Sequence, residues 1–149
     1  MATATDNTIA VLNELVQTCK DGAAGFQNAA DNVRDADLKP LFEKYAAQRR
    51  EFTVKLQAMV AQLGGDAENS GSFAAAVHRG FMDLKAVWTD LDRKTTLSEC
   101  ERGEDQAVKA YKKAMEDEGI HADAKALIAA QYADVKKAHD NIKAMRDSA

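Results

Sequence analysis

The residues of this chain best suited to chemistry are polar side chains that interrupt otherwise apolar helical stripes. Gln48 and Arg49 interrupt one stripe, Glu101 and Glu104 interrupt a second, and Gln131 interrupts a third. A buried charge is costly unless it is paired and hydrogen-bonded. The pattern therefore predicts one buried polar layer across a helical bundle, in which Arg49 pairs with Glu104 or Glu101.

A metal site is the alternative interpretation of the same carboxylates. Di-iron bundles take one Glu from each of two helices and a Glu-x-x-His motif from each of two others, because residues three apart share a helix face. No such motif lies mid-bundle here: Lys136 precedes His139 by three positions, and the Glu118–His121 match is broken by Gly119 at a helix end. The remaining alternative is a non-standard site for iron, manganese or zinc with the candidate ligands Glu51, Glu101, Glu104, Asp134 and His139.

The two cysteines, Cys19 and Cys100, are far apart and lack a CxxC spacing. Each lies in an apolar helical stripe. They are predicted to be buried free thiols rather than a redox pair or a metal clip.

Apolar residues at steps of three and four predict four long helices. The first is expected to begin at a cap signal over residues 5–8, and the second to end at a glycine pair, 64–65, through a left-handed C-terminal cap. The third carries its apolar residues over 97–115, after a break or kink over 90–96. The fourth is expected to begin around His121.

An additional amphipathic helix is predicted between the second and third bundle helices, over residues 73–91. At 1.5 Å per residue it spans about 28 Å, which is the length of the bundle itself. It can therefore return the chain from one end to the other, so that the second and third bundle helices are parallel. One long crossover of this kind is the ferritin-like arrangement. The prediction is a single all-α domain over residues 1–149, a ferritin-like four-helix bundle with a helical crossover.

Length and charge limit the classes of function. The chain has 149 residues and a net charge of -4, whereas nucleic-acid binding needs a concentrated basic surface. No segment approaches the run of about 20 apolar residues that a membrane span needs. A cytoplasmic protein without nucleic-acid or membrane partners is expected, and a homodimer is left open.

Four segments carry a family resemblance: residues 15–22 (LVQTCKDG), 45–49 (YAAQR), 71–72 with 78–80 (GS and HRG) and 99–105 (ECERGED), the last being the most specific. They resemble a bacterial family of ferritin-like four-helix-bundle proteins of unknown function, related to rubrerythrins and bacterioferritins. The resemblance extends from about Thr8 to Met145. It implies the ferritin-like fold but no established activity, and rubrerythrin-like metal ligands do not transfer because both Glu-x-x-His histidines are missing.

Three functional hypotheses follow. The first is a non-enzymatic structural or interaction protein without di-iron catalysis or a cofactor, including a stress-related role. The second is a carboxylate-rich metal-binding oxidase or peroxide-scavenging protein. The third is a carrier of a small ligand or lipid in the bundle core.

Overall fold

A computed structural model describes residues 3–67 and 92–149 of the chain. Within these ranges it contains four α-helices and no strand: α1 (Ala4–Asn32), α2 (Leu38–Gln62), α3 (Arg93–Glu116) and α4 (Ala122–Asp147). The prediction of an all-α chain with four long helices is confirmed for this part. The crossover helix predicted over residues 73–91 lies outside the described residues. In the described ranges, no helix combines the length and the apolar character needed to cross a membrane.

Local capping chemistry decides where α1 and α3 begin. The Thr3 side chain accepts a hydrogen bond from the Asp6 amide (3.0 Å), and the Asp6 carboxylate accepts one from the Thr3 amide (3.2 Å). This reciprocal capping box starts α1 slightly before the cap signal predicted over 5–8. The Asp92 carboxylate likewise accepts a hydrogen bond from the Thr95 backbone amide (2.7 Å), so α3 begins at Arg93. Residues 93–96, which the sequence predicts to be part of a break or kink, are therefore helical.

The end of α2 has the glycine cap that the sequence predicts. Gly64 has a φ of 82°, and its amide donates to the Ala61 carbonyl (3.0 Å), while the Gly65 amide donates to the Val60 carbonyl (2.9 Å). These two hydrogen bonds form a Schellman motif, which satisfies carbonyls that the helix leaves without partners.

Gly64→Ala is expected to lower the free energy of unfolding by about 1–2 kcal/mol, because a Cβ atom is unfavourable in the left-handed region. Gly103→Ala is the matched control: Gly103 lies inside α3, and no described neighbour lies within 4 Å of a Cβ added there. This control is expected to stabilise by about 0.5–1 kcal/mol. Urea denaturation measures the change in the free energy of unfolding for both variants. If the two variants change it equally, the glycine cap does not have the role described.

Contacts between helix ends define the directions of the helices. The start of α1 meets the α3–α4 connection. There the side-chain amide of Asn7 donates to the Asp117 carboxylate (3.2 Å), and the backbone amide of His121 donates to the Thr8 hydroxyl (3.0 Å). At the opposite end, Arg93 binds Asp35 and Asp37 at 2.9 Å each. The starts of α2 and α3 therefore lie together, so these two helices run in the same direction, and each is antiparallel to α1.

Within residues 3–67 and 92–149, the apolar core consists of two clusters of buried side chains, one toward each end of the bundle. The cluster at the Asn7 end includes residues from all four helices, among them Leu12, Phe52, Tyr111 and Ile128. The cluster at the Arg93 end likewise draws on all four: Phe26, Ala29, Ala30, Leu38, Phe42, Tyr45, Ala46, Leu97, Cys100, Ala138 and Ile142. Charged side chains in the middles of α2 and α3 lie between the two clusters.

Candidate functional site

A buried ion pair separates the two core clusters. Arg49 lies in the middle of α2 and Glu104 in the middle of α3, and both are 1% exposed. The Arg49 Nη1 and Nη2 atoms each donate to one carboxylate oxygen of Glu104 at 2.6 Å. This two-point geometry uses both oxygens of the carboxylate and is the strongest form of an Arg–carboxylate contact. Because α2 and α3 are parallel, their middles lie at the same height.

The rest of the arginine is also enclosed. Its Nε donates to the Gln48 side chain (3.3 Å), and its Cζ lies 5.5 Å from the ring centroid of Phe26, where the electron-rich face attracts a cation. Gly22 of α1 lies beside it, since a Cβ placed there would be 3.5 Å from the Arg49 Cγ. Burial lowers the pKa of Arg49, but hydrogen bonding to Glu104 more than offsets it and the net shift is upward. The Arg49 guanidinium is therefore charged, and it donates to both oxygens of Glu104.

A second polar chain lies toward the Asn7 end of the bundle and involves all four helices. The Tyr111 hydroxyl donates to the Gln131 carbonyl oxygen (2.7 Å) and lies 3.0 Å from the Cys19 sulfur. Since the tyrosine proton is directed to Gln131, the thiol donates to Tyr111. The Gln131 amide in turn donates to the backbone carbonyl of Phe52 (3.4 Å).

Both cysteines are buried free thiols. Burial raises the pKa of Cys19 to about 11, and burial, followed by the nearby Glu104 and Glu99 carboxylates, raises the pKa of Cys100. Burial likewise raises the pKa of Tyr111. These groups are neutral at physiological pH, and a neutral buried thiol is a poor nucleophile.

A third polar group lies toward the Arg93 end, between α3 and α4. His139 Nε2 is 2.6 Å from Asp105 Oδ1 and 3.9 Å from Glu101 Oε1, and His139 Nδ1 is 3.0 Å from Asp140 Oδ1. Arg146 contacts the second oxygen of Glu101. Partial burial lowers the pKa of His139, but hydrogen bonds to Asp140 and Asp105 raise it above the ordinary value. Lys136, and then His139, lower the pKa of Asp140.

The polar residues selected from the sequence therefore occupy three levels rather than one layer. Glu101, Glu104 and Tyr111 mark these levels on α3: along the helix axis, Glu104 is about 4.5 Å from Glu101 and about 10.5 Å from Tyr111. Arg49 and Glu104 form the middle level, Gln131 belongs with Tyr111, and Glu101 belongs with His139.

Two candidate ligands from the sequence are exposed on the outside of the bundle and belong to none of the three levels. Glu51 is exposed and pairs with Lys55 (3.4 Å); because successive helical residues are about 100° apart, it points away from the core when Arg49 points inward. Asp134 is exposed on α4, next to Val135, which fills the core position. The structure thus brings Glu101 and His139 together, and leaves Glu51, Glu104 and Asp134 apart from them.

Asp105 is a site residue that the sequence interpretation missed. A signal was available, because Glu101 and Asp105 are four residues apart and therefore lie on one face of α3. Searching for Glu-x-x-His within a single helix could not find the group, since its histidine comes from α4.

A groove of about 430 Å³ lies between α1 and α3. Glycines on both helices, Gly22, Gly25 and Gly103, contribute to its lining together with Asp21, Glu99 and Glu104. Burial raises the pKa of Asp21, to which Gln17 donates a hydrogen bond (2.8 Å). The carrier hypothesis calls for a large apolar cavity within the core. This groove lies between two helices instead, and its lining is mostly apolar but includes three carboxylates.

Comparison with known proteins yields one family. A family model described as Domain of unknown function (DUF2383) matches residues 7–117, from the first turn of α1 to just beyond the end of α3. The match includes Arg49, Glu101, Glu104 and Asp105, whereas His139 lies beyond it. No curated protein matches the chain.

Proposed function

The chain belongs to the family described as Domain of unknown function (DUF2383), and we propose its function from the site described above. We propose that it is a ferritin-like four-helix-bundle protein that lacks di-iron catalysis and acts as a structural or interaction protein. The proposal includes a single domain over residues 1–149 with a helical crossover over about 73–91. It also includes a bacterial, cytoplasmic setting without a nucleic-acid partner, in which a stress-related role and a homodimer stay open.

The directions of the helices support the ferritin-like topology. Arg93 at the start of α3 binds Asp37 at the start of α2, and Arg49 and Glu104 meet at the middles of these helices. An up-down-up-down bundle with short loops makes its second and third helices antiparallel. Parallel second and third helices are what one long crossover produces.

The Arg49–Glu104 pair is the observation that carries the functional proposal. In a di-iron bundle, carboxylates and imidazoles converge at mid-bundle on the metal ions. Here both oxygens of Glu104 accept from Arg49, and an adjacent guanidinium repels a cation. The level of Tyr111 supplies a tyrosine, a thiol and an amide, none of which carries a negative charge for a metal ion. These residues do not fit a di-iron centre.

Iron loading and Fe(II) oxidation test the proposal. Purified protein, incubated anaerobically with Fe(II) and then exposed to oxygen or hydrogen peroxide, is expected to oxidise iron no faster than buffer does. After chelation it is expected to retain no pair of iron or manganese ions. The His139→Gln variant is measured in parallel, so that an ion bound between α3 and α4 is distinguished from one at mid-bundle.

Two metal ions per chain, retained by both proteins together with accelerated oxidation, would contradict the proposal. That result would instead favour the alternative, a metal-binding oxidase or peroxide-scavenging protein that uses iron, manganese or zinc.

A further inference from the structure

Glu101, Asp105 and His139 form a group with the composition of a metal site. Glu101 and Asp105 are one helical turn apart on α3, and His139 faces them from α4. One ligand atom from each residue lies within 4.8 Å of the other two. Zinc binds carboxylate oxygens and imidazole nitrogens at about 2.0–2.2 Å, which places neighbouring ligand atoms about 3–4 Å apart. The separation between His139 Nε2 and Glu101 Oε1, 3.9 Å, is already in this range, whereas the 2.6 Å contact between Nε2 and Asp105 Oδ1 must lengthen to admit an ion.

A neighbouring carboxylate orients the histidine for this task. His139 Nδ1 is 3.0 Å from Asp140 Oδ1, so Asp140 accepts the Nδ1 proton. Nε2 faces Asp105 and Glu101, and an ion that binds it replaces the proton that Nε2 donates to Asp105. Histidines that bind metals commonly donate their other ring N–H to a carboxylate, which sets the tautomer and orients the ring. Asp140 is in turn held by Lys136 at 2.6 Å. The group thus has both the ligands and the outer contact of a metal site.

We propose that Glu101, Asp105 and His139 bind one divalent transition-metal ion, such as Zn²⁺, with water completing its coordination. An imidazole favours such ions over Mg²⁺ and Ca²⁺, which prefer oxygen ligands alone. The site is separate from mid-bundle, because Glu104 is occupied by Arg49. A single ion bound there is additional to the proposed function, which concerns only the lack of di-iron catalysis at mid-bundle.

Arg146 is the competitor for this site. It contacts Glu101 from the last turn of α4, but it also binds Asp147 (2.9 Å) and is partly exposed. Its guanidinium can therefore move to Asp147 and solvent when a cation binds Glu101. Arg146→Met is expected to tighten Zn²⁺ binding, because the competing positive charge is lost.

Calorimetric titration of the metal-free, untagged protein with ZnCl₂ tests the proposal. We expect one Zn²⁺ per chain, loss of at least about tenfold in affinity for Asp140→Asn, and no specific binding for His139→Gln or Asp105→Asn. Zn²⁺ should also raise the melting temperature of the wild type but not of His139→Gln, since a ligand that binds the native state stabilises it. Mg²⁺ at the same concentration should produce no comparable heat.

His121→Gln is the matched control. His121 lies at the opposite end of the bundle, where its ring nitrogen is 2.9 Å from the Thr5 hydroxyl, and its replacement should leave Zn²⁺ binding unchanged. Circular dichroism of each variant verifies that it is folded. Absence of stoichiometric binding to the wild type, or equal binding by wild type and a folded His139→Gln variant (adventitious binding only), would overturn the proposal. Neither result bears on iron oxidation at mid-bundle.

Discussion

Replacing Glu104 by leucine is expected to lower the free energy of unfolding by about 3–5 kcal/mol, and replacing Arg49 by methionine should cost a similar amount. Each single change leaves one ionised group buried without its partner. The two partners are each 1% exposed, so water cannot compensate for the lost contact. Urea denaturation followed by circular dichroism measures these losses.

The double variant Arg49→Met with Glu104→Leu separates two effects: the destabilisation caused by one buried unpaired charge, and the net contribution of the ion pair to the free energy of unfolding. Two apolar side chains of similar volume fit between the two core clusters without desolvating a charge, and such replacements are often neutral or stabilising. We expect the double variant to be more stable than either single variant, which gives a large coupling energy in the double-mutant cycle.

Glu51→Leu is the matched control for this cycle. Glu51 is also on α2, but its side chain is 67% exposed and pairs with Lys55 at the surface. Exposed pairs of this kind contribute about 0–1 kcal/mol. If Glu104→Leu costs no more than Glu51→Leu, the ion pair does not hold the middle of the bundle as described.

Tyr111→Phe is expected to lower the free energy of unfolding by about 1–3 kcal/mol. The loss of one hydroxyl removes the donor to the Gln131 carbonyl and the acceptor for the Cys19 thiol. Leaving a buried polar group without a partner costs about this much. Thermal and urea denaturation measure the effect.

Two comparisons make this prediction specific. Tyr45→Phe should cost less, about 0.5–1.5 kcal/mol, because its partner Asn141 is exposed and can turn to water. Adding Gln131→Leu to Tyr111→Phe should recover part of the loss, because the orphaned amide is removed. A Tyr111→Phe cost below that of Tyr45→Phe would show that the chain of hydrogen bonds is not satisfied in the way described.

The sequence indicates which polar residues interrupt the helical stripes, but not how these residues group. The interruptions are visible because a helix repeats every 3.6 residues, and they occur at Arg49, Glu104, Glu101 and Gln131. The height of each residue depends on how the four helices slide and rotate against one another. Packing assigned Glu104 to Arg49, Gln131 to Tyr111, and Glu101 to His139 and Arg146.

The sequence by itself determined the class of the fold and most helix ends, because those are local properties. Thr3 with Asp6 closes a capping box, and Gly64 adopts a backbone conformation that other residues avoid. Only the tertiary structure decided which polar groups meet. Asp105 and His139 are brought together from α3 and α4, and Glu51 is turned away from the core that encloses Arg49. The physical reason is that the sequence of one helix determines which of its residues share a face. A site formed between helices depends in addition on how the helices are rotated and shifted relative to one another.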